Sequence, residues 1–269
     1  MNRIANLLSA SGIICAVIFL SAPGANADDA NANQYLRVSA GVAVFPDTVF
    51  SDDNCTSTNP AAYFGCGNGS DGNPIGAYGD FGTAPIIEAA VGLHVSPWLR
   101  AELALSHLWN ADFSGQANFS GVAIGQQPVS GRARSTALMV NGYVDLLSAF
   151  GQDTSPFSPY LSAGVGVSYN RIGQMDYAFP TLGPGDRTLV PSGSSTDFAW
   201  SVGAGISYEI RQGLSVDLGY RYVDRGTINT DPGDIRVIRA GVPDNFIAIG
   251  GTEADFTTNE VTLGLRFDF

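Results

Sequence analysis

Residues 260–269, the last ten, alternate without a break. Val261, Leu263, Leu265, Phe267 and Phe269 are apolar, while Thr262, Gly264, Arg266 and Asp268 between them are polar or tiny. A period of two is a strand showing its two faces to two different surroundings. The same alternation recurs over residues 35–45, 86–95, 98–109, 134–147, 159–170, 196–210 and 214–223. Eight strands are therefore predicted. The connections between them alternate long, short, long, short, long, short, long. The long ones, residues 46–85, 110–133, 171–195 and 224–258, are rich in Asp, Asn, Gly and Pro and read as loops. The short ones include Ser96-Pro97 and Arg211-Gln212-Gly213. Regular alternation of this kind points to an all-β, antiparallel up-and-down barrel, with four long loops on one rim and short turns on the other.

The polar phase carries small residues and charges together. Gly41, Gly92, Gly164, Gly166, Gly203, Gly205, Gly219 and Gly264 lie on it, and so do Arg37, Glu88, Arg100, Glu102, Asp217, Arg221 and Arg266. An eight-stranded barrel is only just wide enough for its own side chains. Glycines there leave room for large neighbours, and unpaired charges would be costly. The expectation is a packed lumen of arginine–carboxylate pairs. The apolar phase would then face lipid. Its aromatics gather at strand ends: Trp109, Tyr169, Phe198, Trp200, Tyr220 and Tyr222 toward the long loops, and Tyr208, Phe267 and Phe269 toward the short turns. Two interfacial girdles follow. A pair of short apolar runs, Ile235-Arg236-Val237-Ile238 and Phe246-Ile247-Ala248-Ile249, offers an extra hairpin in the fourth loop, expected to stand above the membrane.

Residues 1–27 read as a secretory signal peptide. Arg3 is the positive end, the apolar run ends at Leu20, and Ala25-Asn26-Ala27 is a small-x-small cleavage site. Residues 28–34 form a short N-terminal segment and residues 35–269 the barrel. The chain has 269 residues, a formal net charge of −12 and no Lys. That charge makes it a poor ligand for nucleic acid. Beyond the leader the cysteines are Cys55 and Cys66, both in the first long loop. In an exported protein such a pair is expected to form a disulfide.

The segments Ala199-Trp200-Ser201-Val202-Gly203-Ala204-Gly205 and Leu214-Ser215-Val216-Asp217-Leu218-Gly219-Tyr220-Arg221-Tyr222, with the terminal strand ending in Phe269, carry a family resemblance. The chain resembles the small outer-membrane β-barrel proteins of Gram-negative bacteria, in particular the opacity-type surface antigens and porin-family barrels. That resemblance implies a place in the cell outer membrane, among its lipid and lipopolysaccharide. It implies that Phe267 and Phe269 serve as the signal read by the assembly machinery, and that the loops meet host or other surface ligands. OmpA relatives append a soluble peptidoglycan-binding domain; this chain is expected to stop at the barrel.

The function expected first is a structural, surface-exposed barrel. A small-solute channel is the alternative, and a lipid-modifying barrel enzyme a further one. Catalysis would need a His with Ser and a carboxylate on one rim. His94 falls on the inward phase near a short turn and His107 on the outward phase near the loop rim, so a shared site is not expected. No cofactor or metal is expected either. Asp52-Asp53 and Asp71-Gly72-Asn73 lack an EF-hand spacing.

Overall fold

The computed structural model describes residues 33–63, 65–119, 127–151 and 155–269. The expected leader, residues 1–27, lies outside the described residues, as does most of the segment after it. In chain order the strands are β1 (Gln34–Val44), β2 (Thr48–Asp52), β3 (Ala77–Asp80), β4 (Thr83–Ser96), β5 (Leu99–Ala117), β6 (Pro128–Asp145), β7 (Phe157–Ile172), β8 (Met175–Ala178), β9 (Arg187–Val190), β10 (Gly193–Arg211), β11 (Leu214–Asn229), β12 (Gly233–Ile238), β13 (Asn245–Ile249) and β14 (Thr252–Asp268). One helical turn, α1 (Leu146–Ala149), follows β6.

Eight long strands close a ring. The order is β1, β4, β5, β6, β7, β10, β11, β14 and back to β1, every pair antiparallel. The closing seam runs from Tyr35 opposite Asp268 to Val44 opposite Asn259. Closure leaves the ring without an unpaired edge. Outward positions stay apolar and bare: Leu263 is 59% exposed, Val140 57% and Val165 53%. Inward positions on the same strands are mostly polar or small, as with Asn141 on β6, Gly164 on β7 and Arg266 on β14. An apolar outer wall around a polar interior is the arrangement of a barrel in lipid.

The six short strands occupy stretches read from sequence as loops. β2 pairs with the start of β14, β3 pairs with β2 and with the end of β5, and β8 pairs with the start of β6. β9 then pairs with β8, β12 with β9, and β13 with β12 as the anticipated hairpin. The long loops thus build a second tier of sheet on one rim. The long strands also continue into that tier, and two β-bulges make this possible. On β5 the inward residues are Arg100, Glu102, Ala104, Ser106 and Leu108, then the register shifts and Ala111, Phe113 and Ala117 face in. Asn110 sits at that shift with φ 57°, a left-handed conformation that Asn tolerates better than most residues. A shift between Asp224 and Thr227 on β11 does the same and turns Ile228 inward.

Inward glycines take the large rings of the lumen. A Cβ on Gly92 would lie 2.1 Å from Cζ of Tyr35, and one on Gly205 would lie 2.3 Å from the Tyr160 hydroxyl. The expectation that glycines make room thus has named occupants, and these are tyrosines as well as arginines.

Candidate functional site: a charged lumen beneath an apolar tier

The lumen is filled by a chain of ion pairs. Arg37 on β1 donates to both carboxylate oxygens of Glu102 on β5, at 2.9 and 2.6 Å, and lies 2.6 Å from Glu88 on β4. The other Glu88 oxygen is 2.7 Å from Arg221 on β11. Arg221 donates to Glu260 on β14 at 2.6 Å, and Arg225 donates to the second Glu260 oxygen at 2.7 Å. Carboxylates and guanidinium groups alternate from Glu102 to Arg225 across five strands, so charge is neutralised step by step. Bidentate geometry and hydroxyl donors help to offset the desolvation of these groups. Tyr143 donates to Glu102 at 2.9 Å, and Thr258 to Glu260 at 3.0 Å.

Toward the turn rim, Arg100 makes two hydrogen bonds of 2.7 Å to Asp145. Its guanidinium also lies 4.9 Å from the Tyr143 ring centroid and 5.4 Å from that of Tyr160. Two residues of the expected network are placed differently. Asp217 accepts from the Ser207 hydroxyl rather than from an arginine. Arg266 contacts Ser215 at 3.2 Å and lies 3.6 Å from Asp268, over the Tyr35 ring.

Glu260, Asp145 and Arg225 also lie in the lumen and were not among the residues expected there. Glu260 shares the inward phase of Arg266, and Asp145 that of Asn141, so phase alone could have found both. Arg225 follows Arg221 in phase, but Asp224-Arg225-Gly226 has the composition of a turn. Gly226 does adopt a positive φ of 73°, at the bulge rather than at a strand end.

Above the charges the interior becomes apolar. Phe45, Phe50, Phe81, Phe113 and Phe256 meet mostly edge to face, with centroids 5.0 to 6.1 Å apart. Met175, Val129, Val190, Ile228, Ile235 and Ile249 continue the cluster beneath the short strands. Edge-to-face packing suits the ring quadrupoles, and each buried ring removes a large apolar area from water. Cys55 and Cys66 are bridged in the first loop, with Cα atoms 5.4 Å apart. The nearby Asp52 carboxylate accepts from the backbone N–H groups of Asn54 and Tyr63. With both sulfurs joined, this grouping has no thiolate to offer a metal.

The two histidines stand apart. His94 Nε2 lies 2.9 Å from Asp268 inside the turn rim, and His107 Nδ1 lies 2.8 Å from Thr136 on the outer wall. Phe267 and Phe269 both face outward at the turn rim, and the Phe269 N–H donates to the Gln34 carbonyl at 2.9 Å.

The family model and the sequence relatives agree with this architecture. Over 101 residues the chain is 32% identical to "Outer membrane protein PagN" of Salmonella typhimurium, a match covering 38% of each chain. Over 246 residues it is 26% identical to a Rickettsia bellii protein named "Putative adhesin", covering 90% of each. The solved Neisserial surface protein A superposes with a TM-score of 0.38 at 17% identity, over 88% of this chain and 97% of that one. The family model described as "Outer membrane protein beta-barrel domain" matches residues 12–269. With the ring closed, its outer wall apolar and its family matched over nearly the whole length, the chain belongs to the outer-membrane β-barrel proteins and resides in the cell outer membrane.

Proposed function

We propose that this chain is a non-enzymatic surface protein whose loop tier meets ligands outside the cell and whose lumen conducts no solute. The observation that carries the reading is the tier itself. Its loops are paired as sheet over an apolar interior, so the surface they present is held in one shape rather than left to sample many. A fixed surface binds without the ordering cost that free loops incur. That surface exposes Leu182, Val242 and Phe246. Lone exposed apolar residues are ordinary, but these stand on loops and a hairpin that face outside in barrels of this kind. The name of the Rickettsia bellii relative fits an adhesive role.

The closed lumen favours this reading over a channel. Glu102, Arg37, Glu88, Arg221 and Glu260 bridge the interior, and the phenylalanine cluster lies above them. Phe267 and Phe269 would serve the assembly machinery, so that removing Phe269 slows insertion into the outer membrane. Cells displaying the chain are expected to bind an epithelial cell layer, and Val242→Ser with Phe246→Ser to reduce that binding while leaving the amount of surface-exposed barrel unchanged. Planar bilayers carrying the purified protein are expected to stay silent; steady single-channel steps would favour the channel.

A further inference from the structure

The outer wall carries a basic patch that the lumen and the tier do not use. In a chain of net charge −12, Arg132, Arg134 and Arg171 gather just above the lipid-facing belt, beside His107. Strand register puts Arg134 of β6 directly opposite Arg171 of β7. Like charges facing each other across a sheet destabilise it unless an anion lies between them. Among the described residues neither has a carboxylate within ion-pair distance, whereas Arg132 is paired with Asp112 at 2.6 Å. One row toward the belt, His107 lies opposite Thr136, and Thr136 opposite Tyr169. His107 and Trp109 stack at 5.8 Å with planes 16° apart. The bulge at Asn110 spreads the wall here, and a cleft of about 330 Å³ opens between Trp109, Arg134, Arg171 and Ser192.

We propose that this cleft seats the phosphorylated sugar headgroup of an outer-leaflet glycolipid, with Arg134 and Arg171 holding one phosphate between them. The inference rests on the outer-membrane placement of the barrel. Height selects the ligand: Arg171 lies two residues beyond the exposed Tyr169 on β7 and Arg134 four residues beyond the exposed Leu138 on β6, at the level where acyl chains end and headgroups begin. Paired guanidinium groups suit a phosphate, because each can donate two parallel hydrogen bonds to its oxygens. The Trp109 ring, stacked on His107 beside them, offers an aromatic surface against which a sugar ring can lie.

The test uses the full folded chain in phosphatidylcholine nanodiscs. Native mass spectrometry counts bound lipid on titration with bisphosphorylated lipid A, with its dephosphorylated form, and with inorganic pyrophosphate. The expected result is one saturable lipid A molecule that needs its phosphates. Arg134→Gln with Arg171→Gln should weaken it by roughly tenfold or more, the loss of a charge-assisted contact. Arg211→Gln, on the opposite rim, should leave it unchanged. Both positions are exposed, and β-type circular dichroism with heat-modifiable migration on a gel checks that the double variant is folded. Equal binding by the double variant, equal binding of dephosphorylated lipid A, or pyrophosphate binding as tight as the lipid would each overturn the proposal while the barrel stands. A wild-type chain that fails to enter nanodiscs would take the membrane reading down with it.

Discussion

The belt of wall that faces lipid and the tier above it share the same strands and have opposite polarity. On β14, Val261, Leu263 and Leu265 face out while Glu260 and Arg266 face in; a few residues earlier, Ala254 and Phe256 face in while Asp255 faces out. β5 makes the same inversion, from Leu103 and Leu105 outside with Glu102 inside to Asp112 outside with Phe113 inside. What surrounds the wall decides the matter. Where lipid surrounds it, the outer face is the apolar one and the narrow lumen must satisfy its own charges. Where water surrounds it, the ordinary rule returns and the apolar side turns in. One closed sheet can obey both because side-chain direction alternates residue by residue, so composition can change along a strand, on β14 with the phase unbroken and on β5 across a bulge.

The largest effect should come from the belt. Arg221→Leu strands Glu88 and Glu260 short of one partner, and breaking a buried pair in this way costs about 3–5 kcal/mol. The urea midpoint of the barrel in lipid vesicles should fall, and adding Glu88→Gln should restore part of it. Next comes Phe81→Ala in the tier. Phe81 touches four other phenylalanine rings, and its truncation should cost about 3 kcal/mol. The damage should stay above the belt: faster cleavage by surface protease at an unchanged heat-modification temperature. If Phe81→Ala instead lowers the urea midpoint as far as Arg221→Leu does, the two regions melt as one and the comparison fails.

A smaller effect is expected from the first loop. Replacing both Cys55 and Cys66 by Ser removes a closed loop worth about 2–3 kcal/mol to local order. Limited proteolysis should cut residues 52–63 sooner, with gel migration of the barrel unaltered. The smallest is a response to acid. Hydrogen bonds from Asn73 and Asn118 hold the Asp71 carboxyl below the usual carboxylate range. A depressed folded value stabilises above the unfolded value and is lost as pH falls through the folded one, so the window lies below pH about 4. Pepsin should therefore reach the first loop more readily as pH drops through that window, and Asp71→Asn should flatten the dependence.

Phase was the legible part of this molecule. Each of the eight ring strands could be read because a period of two survives in Leu36 to Val44, Leu99 to Leu105 or Val261 to Phe269. The inward charges could be read for the same reason. The tier was not legible, since β2, β3, β8 and β9 are four or five residues long and sit among Gly, Asn and Asp. So few residues cannot establish a period, and their partners lie far away in sequence. The bulges hid the rest. After Asn110 the inward residues change from even to odd numbers, so Phe113 looks like the continuation of nothing.

The sequence by itself determined which residues look outward and which inward in the belt, because alternation is a local property of an extended chain. Only the tertiary structure decided that Glu88 meets both Arg37 and Arg221, and that Arg134 faces Arg171 on the outer wall. Only the tertiary structure decided that the loops enclose a core. Those outcomes depend on register and ring closure, which are set by pairings between strands as far apart in the chain as β1 and β14.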